Sequence, residues 1–79
     1  MEKKIKLIWD FRNRDVEHFA EHHAKHLKEF LEKENYEFVH TGIELIHEHH
    51  AIAYMVVDEK DMLRFRDALK PHRAAYYKA

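Results

Sequence analysis

The alternation of apolar and polar positions opens the chain with a strand. In residues 4–11, Ile5, Leu7, Trp9 and Phe11 fall on one side, and Lys6, Ile8 and Asp10 on the other. Arg12-Asn13-Arg14 is a short polar connection. Asp15 is a good helix N-cap, with Asn13 competing for that role. From Val16 to about Glu34 the period becomes helical: Val16, Ala20, Leu27, Phe30 and Leu31 share one arc, with Phe19 and Ala24 at its margins. Glu21/Lys25 and Glu29/Lys33 are i,i+4 pairs on the solvated side, and Asn35 is a helix stop.

Alternation returns over residues 36–47. Val39, Ile43, Leu45 and His47 share one face; Phe38, His40, Glu44 and Ile46 share the other. Gly42, the chain's single glycine, implies a bulge or a close backbone approach there. Glu48-His49 forms the turn, and residues 50–57 form a strand apolar on both faces. Asp58 caps a second helix with Asp61 at the capping-box position. Met62, Phe65 and Leu69 are its stripe, and Pro71 closes it. The tail Arg73–Lys78 can supply a short fourth strand.

This order, β-α-β-β-α with a final β, is that of the α+β ferredoxin-like fold, as a single domain over residues 1–79. The right-handed crossover makes the first two strands parallel, with the third antiparallel between them. Both helices then cover one sheet face. The other carries Ile8, Ile46 and Phe38, too apolar to leave in water, so a sheet-to-sheet homodimer is expected. A chain of 79 residues is marginal alone, which favours the same remedy.

Composition narrows the chemistry. Fourteen Lys and Arg stand against fifteen Asp and Glu, a net charge of −1, so no strong field recruits nucleic acid or anionic lipid. No stretch approaches the roughly 18 apolar residues of a membrane span, and nothing resembles a signal peptide. A soluble cytoplasmic protein is the expectation. The absence of cysteine excludes disulfides, thiolate zinc sites and iron–sulfur clusters. With no serine and one threonine, Thr41, serine- or cysteine-dependent nucleophilic catalysis is excluded as well. No phosphate-binding glycine loop is present.

What remains is histidine, nine residues of it. The fold's chain directions bring most of them to one end. That rim collects Asp10, Arg12, His18, His22, His23, His47, His49, His50, His72 and Arg73, with His26 one turn further down the first helix. His40 falls at the opposite end. His22 and His26 are an i,i+4 pair, a spacing that lets two imidazoles share one metal; His23/His26, at i,i+3, is also workable. His23 lies in the apolar arc. His72 continues the second helix's stripe and faces inward unless Pro71 redirects it. His50 is in phase with Ile52, Tyr54 and Val56. His18 and His40 read as surface or general packing.

The first reading is therefore a divalent transition-metal site. Its ligand pool is His22, His23, His26, His50 and His72, followed by His47 and Asp10. Nickel, zinc, copper and iron all accept such donors. An open coordination position would admit a water or a small-molecule ligand, and metal-dependent chemistry is an extension of this reading. The alternative is a cofactor-free binding module or enzyme. Its histidines would act as acid/base groups in an apolar cavity lined by Trp9, Tyr54 and Phe65.

The first strand ending in Asp10, the segment Glu21-His-His-Ala-Lys-His-Leu27 and the late Pro71-His72 element together resemble the dimeric α/β-barrel superfamily, in particular its short nickel-binding and uncharacterised members. The resemblance implies a ferredoxin-like chain paired through its sheet, with nickel as one candidate ion. The turn His47-Glu-His-His50 departs from that group. Other members are monooxygenases, degradative enzymes or haem handlers, so the fold does not choose a function.

Overall fold

A computed structural model describes residues 3–36 and 40–77. The elements are β1 (Lys4–Phe11), α1 (Val16–Lys33), β2 (His40–His47), β3 (His50–Asp58), a 3-10 turn over Glu59–Asp61, α2 (Met62–Leu69) and β4 (Arg73–Tyr77). The final strand is present. The four strands form one antiparallel sheet in the order β2-β3-β1-β4, which is compatible with a ferredoxin-like arrangement. The expected positions Phe38 and Val39 lie outside the described residues.

The core follows from the pleat. Ile5, Leu7 and Trp9 of β1 and Ala53, Met55 and Val57 of β3 share one face. Leu27 and Leu31 of α1 and Phe65 of α2 close over it, all but fully buried. Each such side chain contributes about 1.5–3 kcal/mol by leaving water. Val16, Ala20 and Ala51 extend the core towards the start of α1, where Phe11 and Ile43 pack.

The helix ends differ in part from expectation. Asp15 occupies the N-cap place of α1, but its side chain makes no capping bond; its backbone N–H donates to the Asn13 side chain at 2.8 Å. At the other end, Asn35 adopts a left-handed φ of 56° and stops the helix as expected. Asp58 does not cap α2. The 3-10 turn intervenes, and no side-chain cap bond forms at Asp61. Asp58 instead holds Lys4 in an ion pair and stands beside the Tyr36 hydroxyl. That hydroxyl accepts the Asp58 backbone N–H at 2.9 Å and donates to Asp61 at 3.2 Å. Lys70, with φ 48°, ends α2 before Pro71.

The other sheet face carries Ile8, Ile52 and Val56. All three are buried within the single chain, whereas Ile46, also expected on this face, is 45% exposed, and Phe38 lies outside the described residues. Tyr54, the ladder partner of Ile8, stands on the same face. Lys6 sits over the Tyr54 ring at 4.4 Å, and His40 lies between the Tyr54 and Tyr77 rings at 5.8 and 5.3 Å. Gly42, opposite Tyr54 in the ladder, makes this possible. A Cβ there would stand 2.6 Å from the Tyr54 hydroxyl. Gly42 thus marks a close approach, while the strand irregularity falls between Leu45 and His47.

Candidate functional site

The chain directions deliver most of the histidines to one end, where they divide into two groups. The first group stands on α1. His22 and His26, one turn apart and both exposed, turn their rings together, with Nε2 of each 3.1 Å from Nε2 of the other. Their ring centroids are 4.5 Å apart. His23 points the other way, into the apolar arc as its phase predicts. Its ring packs on Trp9 at 5.0 Å and Phe11 at 5.6 Å. Its Nε2 is buried with no hydrogen-bond partner. Burial pushes the imidazole below its ordinary value of 6.5, and the nearby His26, His72 and His22 push in the same direction.

The second group stands on the sheet. Asp10, at the end of β1, accepts a hydrogen bond from His50 Nε2 at 2.8 Å. It also accepts a fork from Arg73, Nε at 3.0 Å and Nη2 at 3.1 Å. Asp10 and His50 are each only about a tenth exposed at the side chain, whereas Arg73 is more than half exposed. The Arg73 hydrogen bonds hold the Asp10 carboxyl down at about 2; His50 adds to this and burial opposes it. The carboxylate therefore orients the His50 ring with Nε2 as its donor, which leaves Nδ1 as the basic nitrogen of the neutral ring. His47, opposite His50 across the β2–β3 turn, sets its ring at 71° to the His50 ring, 5.7 Å away.

Asp10 also holds a further histidine through its backbone. Its N–H donates to His72 Nδ1 at 2.9 Å, and the His72 N–H donates to the Ile8 carbonyl at 2.9 Å. His72 thereby extends the β1–β4 ladder by one step with a side chain. The expectation that it faces inward along the α2 stripe is corrected: α2 ends at Leu69, and His72 is exposed. Beneath it, Trp9 Nε1 donates to the Leu69 carbonyl at 3.1 Å and fixes the end of α2 against β1.

The ligand pool thus converges only in pairs. His22 meets His26, and His50 meets Asp10. His23 stands inward of the first pair, His72 touches Asp10 through its backbone, and His47 flanks His50. Among the described residues, no group of three or more His, Asp or Glu gathers at metal-binding distance. His18 and His49 are exposed, as is Arg12. The cavity of the alternative reading is also corrected. Trp9 and Phe65 are packed into the core, and Tyr54 stands on the opposite face of the sheet. A cleft of about 660 Å³ lies instead between the start of α1 and the β2–β3 turn, walled by Arg14, Val16, His18, Leu45, His47 and Glu48.

Sequence reasoning placed Arg73 at the rim but missed its grip on Asp10. It also missed the Asp10–His72 bond, since nothing in a sequence marks an imidazole that substitutes for a strand residue. The chain matches no family model, no curated protein and no solved structure. No helix among the described residues is long and apolar enough to cross a membrane.

Proposed function

We propose that the protein binds a divalent transition metal ion through His22 and His26. The observation that carries this reading is the Nε2–Nε2 separation of 3.1 Å. Two imidazole nitrogens at about 2.0–2.1 Å from one ion, subtending about 90–110°, stand about 2.9–3.4 Å apart. The pair therefore has the bite of a two-histidine chelate, on a helix whose backbone holds the spacing. Two protein donors leave further coordination positions for water or a small-molecule ligand. The donor set suits zinc, nickel, copper or iron, and affinity order alone does not select among them.

Elemental analysis of untagged protein, purified without metal resin, tests this together with melts in the presence and absence of chelator. Bound metal raises the melting temperature by mass action. The reading expects metal that chelator removes with a fall in melting temperature, and loss of both effects in His22→Ala and His26→Ala. Binding that survives in both variants rules it out.

A second reading has its own observation. The Asp10–His50 pair matches the arrangement by which a carboxylate fixes one imidazole nitrogen and leaves the other basic. It supports metal-independent acid/base work beside the cleft that His47 lines.

A further inference from the structure

Among the described residues, the order β2-β3-β1-β4 leaves β2 and β4 as the two edges of the sheet, and the two differ in charge. β2 carries no Lys or Arg; its Glu44 is exposed, as is Glu48 in the turn that follows. β4 carries no Asp or Glu. Its own cation is Arg73, exposed Lys70 stands just before it, and Lys3 lies over the Tyr76 ring at 5.3 Å. Only two of the five guanidinium N–H groups of Arg73 serve the fork to Asp10.

Apolar surface is divided between the edges in a matching way. Leu45 of β2 is 54% exposed. Its ladder partner Ala51 packs with Val16 and Ala20 of α1, so Leu45 lies on the helix-covered face of the sheet. On that same face, along β4, an apolar groove of about 200 Å³ is lined by Ile5, Met62, Ala74, Ala75 and Tyr76. Tyr76 is 62% exposed. The directions agree as well. β1 is antiparallel to both β3 and β4, and β3 is antiparallel to β2, so β2 runs opposite to β4. A copy set beside the first with its helices on the same side therefore brings its β4 antiparallel to β2, and the sheet continues without a change of pattern.

We propose that β2 of one chain pairs with β4 of a second copy, with Leu45 seated in the groove along that strand. Leu45 opposite Ala74 places Ile43 opposite Tyr76 and Glu44 opposite Ala75, diagonal to Arg73. Glu48 then comes level with Pro71, next to Lys70. Charge selects this pairing over the symmetric ones. β2 against β2 sets Glu44 and Glu48 facing their own kind, and β4 against β4 does the same for Arg73 and its lysines. The contact is heterologous, so each added copy exposes a fresh edge and association is open-ended. It is also small, so it sets in only at high protein concentration. It is independent of the metal reading.

The test is analytical ultracentrifugation of the untagged full chain with chelator present, which removes any association bridged by metal. The average mass should rise steadily with concentration and pass that of two chains, and the association should weaken severalfold between about 0.05 and 0.5 M salt. Leu45→Lys spoils the β2 edge by setting a cation against a basic strand, and Ala74→Glu fills the groove with an anion. Both sites are exposed, and circular dichroism melts confirm that each variant folds. Each variant alone should stay monomeric. An equimolar mixture should form a complex that stops at two chains, since each variant keeps the one edge its partner needs. A wild type that remains one chain up to about 1 mM overturns the proposal. So does a mass that levels off at two chains, the sign of a symmetric or face-to-face dimer. Association unchanged in either variant, or a mixture that forms no complex, overturns it too.

Discussion

The Asp10 carboxylate holds His50 Nε2 at 2.8 Å, and the two residues come from strands paired side by side in the sheet. The same carboxylate takes the Arg73 fork, so three segments distant in sequence meet on one side chain. Asp10→Asn keeps the shape but removes the charge both partners use. It should lower stability at pH 7 by about 1–2 kcal/mol, the range for hydrogen bonds to a charged group discounted for the exposed Arg73. The folded carboxyl titrates at about 2 against an ordinary value of 3.8. Its contribution is therefore full above 3.8 and fades as the pH falls towards 2. Melts of the wild type and Asp10→Asn should converge across that interval; a constant gap contradicts the assignment.

His23 governs a higher pH range. Its imidazole is depressed below 6.5 by burial against Trp9 and Phe11. The unfolded chain therefore takes up a proton at His23 before the folded one does. Stability due to this residue is full above 6.5 and declines as the pH drops below it. His23→Leu removes a buried nitrogen without a partner and should stabilise the fold by about 1 kcal/mol at neutral pH. The gain should grow on acidification. A loss of stability at both pH 7 and pH 5.5 would show that the ring's packing outweighs its nitrogen.

Gly42 and Tyr54 form a cross-strand pair in which the ring occupies the space a side chain would take. Gly42→Ala pushes the phenol away and disturbs the Lys6 contact at 4.4 Å. We expect a cost of about 1–2 kcal/mol from overpacking. In the Tyr54→Ala background the same change should cost much less, a non-additivity that denaturant unfolding of the four proteins measures. Additive effects would mean that the ring does not rest on Gly42.

The Tyr36 hydroxyl joins the end of α1 to the Asp58 backbone and to two carboxylates. Burial raises it from 10 to about 12. The proton is thus held more tightly in the folded state, and its contribution is present below pH 10 and lost as pH rises towards 12. Tyr36→Phe leaves the Asp58 N–H without its partner while the ring keeps its edge contact with Phe65 at 5.1 Å. Chemical unfolding should show a loss of about 1–3 kcal/mol. A neutral substitution would place that N–H in contact with solvent.

Periodicity made the architecture legible. The alternation at Ile5, Leu7 and Trp9 and the helical arc through Leu27 and Leu31 each predicted the face that is buried. The phase of His23 was readable for the same reason, since a helix fixes the angle between neighbours. His72 was not, because Lys70 turns left-handed and breaks the phase that its position after Leu69 implied. Asp58 read as a helix cap because Asp in front of an apolar run usually is one; Lys4 and Tyr36, both remote in sequence, take its carboxylate instead. On the outer sheet face periodicity marked Ile8 and Ile46 alike as apolar but did not separate them: Ile8 is buried within the chain and Ile46 is 45% exposed.

The central claim is that His22 and His26 chelate one ion, and substoichiometric zinc followed by histidine nitrogen NMR tests it most directly. The account predicts that the Nε2 signals of His22 and His26 move first and together, saturating while those of His18, His40 and His49 stay in place. Uniform weak perturbation of all nine imidazoles, or first movement at His47 and His50, would contradict it.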